Sequence, residues 1–348
     1  VKRTLVWFRN DLRIHDNEAL SEAFREGEVL PVYCFDPRHY RLTSFGFKKT
    51  GAFRAQFLIE TVQNLKNNLK ALGGDLLILH GKPEQILPSV SIKYKIDQVY
   101  YHEEVTSEEL DVEDTLEDAL TIPMERFWGS TLFHPDDLLF DQTNVPLVFT
   151  QFRKKLEKYA EVQPIIEPPI NPRFVEHIQK TDLPIVSDFG FSAQTIDHRA
   201  VVQFKGGEDE ALNRLHTYIW ETDRIATYKN TRNGLIGADY SSKFSPWLAN
   251  GSLSPRMIYH EIKKYESERT KNSSTYWMIF ELIWRDYFRF SAWRFGNDIF
   301  KPGGIQQKER EWSTDQKKFE KWATGTTGIP FIDANMRELN LTGFMSNR

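Results

Sequence analysis

Short β-branched and aromatic runs alternate with helical patterns through residues 1–130, and this alternation constrains the fold more than any other property of the chain. The runs lie at Thr4–Phe8, Val29–Phe35, Leu76–His80 and Gln98–Tyr101, with a fifth at Met124–Trp128. Helical patterns fill the gaps at Asn17–Arg25, Phe53–Leu72, Pro83–Tyr94 and Ser107–Leu120. Parallel neighbours need a long crossover, usually a helix, so the pattern predicts a parallel, doubly wound α/β sheet. No Gly-x-Gly-x-x-Gly follows the first run. Phe8-Arg-Asn-Asp-Leu-Arg13 stands there instead, so the dinucleotide fingerprint is absent.

Residues 131–205 change character, with prolines at 164, 168, 169, 172 and 184 in weakly periodic sequence. This stretch reads as an interdomain connector. From Gly206 helical patterns dominate, at Glu208–Tyr228, Pro255–Arg269, Ser274–Phe295, Thr314–Ala323 and Phe331–Leu341. The expected organisation is an α/β domain over 1–130, a connector over 131–205 and an all-α domain over 206–348. Charge divides in a similar way. Residues 1–205 carry 24 Lys+Arg against 31 Asp+Glu, and residues 206–348 carry 21 against 18, so −7 and +3 sum to the chain's −4. Seven of the nine tryptophans also lie in the second part, which directs a polyanion or a flat aromatic ligand there. Ordinary surface variation is the alternative account of so modest a split.

Several chemistries drop out. The single cysteine, Cys34, excludes an intrachain disulfide and a multi-cysteine metal site. The nine histidines contain no His-x-x-x-His pair, so no metal is expected. No Gly-x-Ser-x-Gly elbow marks a hydrolase. No run approaches a membrane helix, and the N-terminus lacks a signal peptide's apolar core. The expectation is a soluble protein of the cytoplasm, an organelle or the nucleus.

Two regions concentrate binding chemistry. Tyr240-Ser-Ser-Lys-Phe-Ser-Pro-Trp247 gathers four hydroxyls and a lysine ahead of a proline, and Ser245-Pro246 and Ser254-Pro255 each read as an N-cap before a helix. Asn250-Gly251 supplies the stop between them. Hydroxyls, a cation and helix N-termini together suit a phosphate; a capped corner without a ligand is the alternative. In the later helix Trp277, Phe280, Glu281, Trp284 and Phe288 share one face. Burying the acid costs several kcal/mol unless it is paired. Either Arg285, one turn on, pairs with Glu281, or Glu281 and Trp284 wall a cavity for flat, hydrogen-bonding rings. Tyr228-Lys-Asn-Thr-Arg232-Asn-Gly234 is a second basic segment, read either as a solvated helix end or as a contact for phosphates.

In this order the motifs resemble the photolyase/cryptochrome family, and its DASH branch closely. The likeness runs through Leu5-Val-Trp-Phe-Arg-Asn-Asp-Leu-Arg-Ile-His-Asp16, Phe127-Trp-Gly-Ser-Thr-Leu132, His134-Pro-Asp-Asp-Leu138, Gly206-Gly-Glu208, Thr231-Arg-Asn-Gly234, Asp239–Trp247, Glu281–Phe288 and Thr327–Arg337. The resemblance implies a photolyase-like fold, an α/β antenna domain joined to an all-α FAD-binding domain. It implies that Tyr228, Ser241, Ser242, Lys243, Phe244 and Ser245 hold the FAD phosphates and ribityl chain, and that Met278 lines the flavin. Arg232, Glu281, Trp284 and Arg285 fall where members meet DNA or a pyrimidine dimer, with Glu281 and Trp284 as the catalytic pair. Asn347 and Arg348 match an Asn-Arg pair near flavin and DNA backbone. Trp312 matches the outer tryptophan of a photoreduction chain. Glu104 matches a contact of a methenyltetrahydrofolate antenna.

The implied activity is light-driven repair of cyclobutane pyrimidine dimers in single-stranded, UV-damaged DNA by a monomer. Members of the family continue past residue 348. On that comparison the all-α domain is incomplete, and the inner tryptophans and the far wall of the flavin pocket are missing. Two other readings follow: a blue-light photoreceptor or DNA-binding regulator without significant repair, and an inactive fragment without flavin.

Overall fold

The computed structural model describes residues 1–346. β1 (Lys2–Phe8), β2 (Gly27–Phe35), β3 (Leu77–His80), β4 (Gln98–His102) and β5 (Met124–Phe127) form a parallel sheet ordered β3-β2-β1-β4-β5. α1 (Glu18–Glu26), α2 (Ala52–Ala71), α3 (Pro83–Tyr94) and α4 (Ser107–Ala119) are the crossovers. Each expected element is present, with ends moved by at most two residues. Alternation along β1 assigns the two faces. Val6 and Phe8 pack with α1 and α2, while Leu5 and Trp7 pack with α3 and α4. Both faces are covered, so the strands read as nearly continuous apolar runs. A two-residue strand, β6 (Arg173–Phe174), adds to the start of β2 and was not foreseen.

The connecting stretch is more regular than its prolines imply. α5 (Phe149–Tyr159) lies inside it, and Phe149, Phe152 and Leu156 join the core of the helical half. Their i, i+3, i+7 spacing is an amphipathic signal, outweighed in the sequence by the neighbouring prolines. The helical half continues through α6 (Glu208–His216), α7 (Tyr228–Thr231), α8 (Ser245–Ala249), α9 (Pro255–Glu268), α10 (Ser273–Phe295), α11 (Gln316–Thr324) and α12 (Pro330–Thr342).

One expected helix is broken. Glu208–Tyr228 reads as continuous, but α6 widens into a π-turn over Thr217–Glu221 and then reverses at Asp223, φ 51°. Tertiary bonds hold that turn: the Asp223 carboxylate accepts from Tyr265 at 3.0 Å and Arg269 at 2.6 Å. The break aims α7 at α10.

The two halves are stitched by the segment that replaces the dinucleotide fingerprint. Arg13, 1 % exposed, donates to the carbonyls of His15, Asp16, Gly129 and Gly251. Asp16 pairs with Arg256 at 2.7 Å and accepts from the Ser254 hydroxyl, which also caps α9. Glu208, at the start of α6, accepts from the backbone N–H groups of Ile14 and His15 and from the His15 ring. Burial alone would raise the Glu208 carboxyl; these hydrogen bonds and the adjacent ring hold it below the usual range. Arg13, Asp16 and Glu208 thus each bond across to the other half.

Candidate functional site

On the helical half, α6, α7, α10 and the loop before α8 bring most of the anticipated residues together. Arg232 ends α7, and its guanidinium forms an ion pair with Glu281 on α10. The Glu281–Arg285 pair, one of the two alternatives open in the sequence, is therefore replaced by a tertiary one. Arg285 is drawn away because its guanidinium donates to the carbonyls of Ser130 and Leu248. Burial pushes Arg285 down to about 10, still cationic at neutral pH. It works as an internal strut between the Trp128–Thr131 segment and α8.

Around the ion pair the walls are aromatic. Trp277 lies under Lys229 at 4.7 Å and under Arg232 at 5.4 Å. Trp284 stacks on Phe149 of α5, with centroids 3.5 Å apart and planes 9° apart, so a residue of the connector fixes its orientation. Arg153 and Tyr276 hold α5 to α10 through a 2.7 Å hydrogen bond. The result is a half-buried carboxylate beside a guanidinium, framed by indoles on a basic rim.

The next residue, Asp286, faces inward. It is fully buried and accepts from the N–H groups of Leu132 and Phe133 at 3.0 Å. Burial pushes its carboxyl up to about 7, against those N–H groups and the neighbouring arginines. A carboxyl raised in the folded state binds more protons there than when unfolded, so its contribution to stability falls as pH rises from about 4 to about 7. Asp286→Asn should therefore gain on the wild type across that window, with a ceiling of roughly 4 kcal/mol for a shift of this size. Denaturant melts of both proteins at pH 5 and pH 8 check it; a stability difference that does not grow with pH refutes the assignment.

The serine-rich loop sits between α7 and α8. Ser245 is the first residue of α8 and Phe244 its N-cap, so the expected Ser245 cap is displaced by one residue, while Ser254 caps α9 as anticipated. Lys243 is 4 % exposed and left-handed, φ 58°. Its ammonium lies 3.7 Å from the Tyr240 ring centre and 4.9 Å from that of Phe344, with no carboxylate in ion-pair range among the described residues. Tyr228, Phe244 and Met278 are buried in the same helical core. Ser245 also lines a cleft of about 1550 Å³ that runs to the carboxyl ends of β1 and β2, at Trp7, Arg9 and Asp36. Open α/β sheets receive ligands at that edge.

The remaining anticipated residues lie apart. Glu104 is buried, pairs with Arg289 at 2.6 Å and accepts from Asn10 at 2.8 Å. Burial opposes its ionisation, but Arg289 and Arg9 outweigh it and hold the carboxyl low. Trp312 is 64 % exposed on the stretch before α11. Asn347 and Arg348 lie outside the described residues. Sequence reasoning missed Phe149 and Arg214. Phe149 had a helical spacing that went unread; Arg214 sits in an ordinary helical pattern and carries no local signal. Among the described residues there is no metal-ligating cluster of His, Cys, Asp or Glu, and no helix long and apolar enough to cross a membrane.

A parallel α/β domain clasped to a helical domain, with an arginine-held acid among indoles, defines the photolyase architecture. Residues 4–171 match the family described as DNA photolyase, and residues 277–348 match the FAD binding domain of DNA photolyase. A cryptochrome DASH of Gloeobacter violaceus is 49 % identical over 351 residues, covering 100 % of this chain and 70 % of that protein. Another, from Synechocystis, is 51 % identical over 349 residues, 99 % of this chain and 71 % of the relative. The crystal structure of a Synechocystis cryptochrome superposes with a TM-score of 0.96 at 50 % identity, over 100 % of this chain and 73 % of that one. The chain belongs to the photolyase/cryptochrome family, in its cryptochrome DASH branch.

The FAD-binding match can be tested against the residues present. A buried ammonium without a carboxylate partner among the described residues, on the chain segment that carries Ser241 and Ser242, is a cation short of an anion. It fits the cofactor's phosphates.

Proposed function

We propose that this chain is a blue-light flavoprotein that splits cyclobutane pyrimidine dimers in single-stranded DNA. The observation that carries the reading is Glu281, an acid held by Arg232 at a surface framed by Trp277 and Trp284. Bound FAD would supply a photoexcitable electron donor. The protein's own part is to grip, orient and stabilise. Lys229 and Arg232 meet backbone phosphates, a contact that carries salt-dependent affinity but no sequence preference. The lesion must leave the strand's stack to reach the pocket, and extrusion costs least where pairing is already absent. Trp284, fixed by Phe149, offers an indole surface for the extruded rings. Glu281 accepts from the ring amide N–H groups, a charge-assisted hydrogen bond that fixes the extruded dimer in the pocket.

The cofactor seat is assigned to Tyr228, Ser241, Ser242, Lys243, Phe244 and Ser245, with Met278 and Asn347 towards the flavin. Arg348 is assigned to the DNA contacts with Arg232, Trp312 is the outer electron-transfer residue, and Glu104 is assigned to a folate antenna; Arg285, engaged by two internal carbonyls, is left to the scaffold. Replacing Ser242 and Ser245 together by Ala should raise the FAD dissociation constant roughly thirtyfold, at about 1 kcal/mol per lost hydrogen bond. Fluorescence titration of the purified protein with FAD checks it, and unchanged affinity removes the seat. The function itself is tested by illuminating FAD-loaded, reduced protein with a dimer-containing single-stranded oligonucleotide. Ring splitting is expected. Bound flavin with no splitting leaves the photoreceptor or regulator reading in its place.

A further inference from the structure

The loop of the cofactor seat is shaped by one residue outside it. Arg214, in the last turn of α6, sends Nε to the Ser242 carbonyl at 3.0 Å and Nη1 to the Asp239 carboxylate at 2.9 Å. Nη2 reaches the carbonyls of Ala238 at 3.2 Å and Ser241 at 3.4 Å. The guanidinium is 13 % exposed and lies 5.3 Å from the Tyr218 ring. Three carbonyls of one short loop thus converge on one fork.

A trans peptide is planar, with its N–H directed opposite its C=O. Turning the carbonyls of Ser241 and Ser242 towards Arg214 therefore turns the N–H groups of Ser242 and Lys243 to the far side of the loop. Among the described residues neither N–H has a hydrogen-bond acceptor. Lys243 is left-handed at this point, and successive N–H groups around a left-handed residue make an anion-binding concavity. The Lys243 ammonium adds a buried cation to the same short segment.

We propose that Arg214 is a positioning residue: it turns the peptide N–H groups of Ser242 and Lys243 towards the cofactor's diphosphate. The proposal rests on the phosphate-seat reading of this loop and goes beyond it by naming the backbone donors and what orients them. A lysine cannot reproduce the fork, since a point cation does not hold three divergent carbonyls.

The experiment measures binding of FAD, and competition by inorganic pyrophosphate against FAD, in wild type, Arg214→Lys and Arg214→Gln, with thermal melts of each protein alone. Both substitutions should raise the FAD and pyrophosphate constants by the same factor, about tenfold for Lys and more for Gln. A residue that merely stabilises α6 would lower the melting temperature without moving pyrophosphate competition, and that outcome overturns the proposal. So does binding of both ligands within twofold of wild type; if Arg214→Gln does not fold, Arg214→Lys decides by the same criterion. Wild type that binds neither ligand overturns this proposal and the seat reading together. Wild type that binds both, with the variants unchanged, overturns this proposal alone.

Discussion

Gly251→Ala is expected to loosen the clasp between the two halves, at a cost of several kcal/mol and roughly 10 °C in Tm. Gly251 is left-handed, φ 71°, which costs an L-residue about 1–2 kcal/mol. A Cβ there would also overlap the carbonyl of Asn10 in the other half. Backbone cannot rotate aside as a side chain does, so relief requires the loop to retreat. Retreat breaks the 2.8 Å hydrogen bond from Arg13 to the Gly251 carbonyl, leaving part of a buried guanidinium unsatisfied. Gly237 is the internal control. It is also left-handed, φ 95°, but a Cβ there meets nothing within 4 Å, so Gly237→Ala pays only the conformational cost. Differential scanning calorimetry of both variants, with limited proteolysis across residues 160–205, separates the two costs. Equal destabilisation would mean that the interface at Asn10 yields, and that Arg13 is not anchored by a rigid neighbour.

The same pair of glycines shows what a sequence discloses and what it withholds. Asn250-Gly251 is legible as a helix stop because φ above zero is a local need that few residues meet. That the glycine also makes room for a backbone more than two hundred residues earlier is a tertiary fact with no local trace. The sheet was readable to within two residues because short β-branched and aromatic runs and the helical patterns between them are local properties. Glu281 was readable as anomalous because an acid on an aromatic stripe breaks the pattern of its own helix. Its partner was not. Arg285 is the nearer cation along the chain, but two backbone carbonyls compete for it and Arg232 arrives from α7. Arg214 failed for the complementary reason, since an arginine late in a helix is favourable on its own account and gives no cause to look further. The broken α6 has that origin too: Asp223 takes a left-handed turn because Tyr265 and Arg269 hold its carboxylate.

Glu281→Ala is expected to slow light-driven dimer splitting by about 10- to 100-fold while bound flavin is unchanged. A hydrogen bond to a group carrying charge contributes about 1.5–3 kcal/mol, and each 1.4 kcal/mol is tenfold in rate. The rival account makes Glu281 a counter-ion for Arg232. The pair is partly open to solvent, with side chains 29 % and 15 % exposed, which limits its worth as a structural bridge. The two accounts separate in binding as well as rate. Removing the carboxylate frees Arg232 for phosphate and removes a repulsive charge, so single-strand affinity should hold or rise while splitting falls. Arg232→Ala should do the opposite: weaken binding, lower the salt slope by about 0.7 for one lost phosphate contact, and leave the rate on saturated complex nearly intact. Single-turnover rates under blue light, with DNA affinity measured at two salt concentrations, check both variants. Loss of flavin from Glu281→Ala, or equal loss of affinity in both, would place Glu281 in the scaffold and not at the lesion. Slow splitting with undiminished DNA binding is the combination that only a carboxylate acting on the extruded dimer produces.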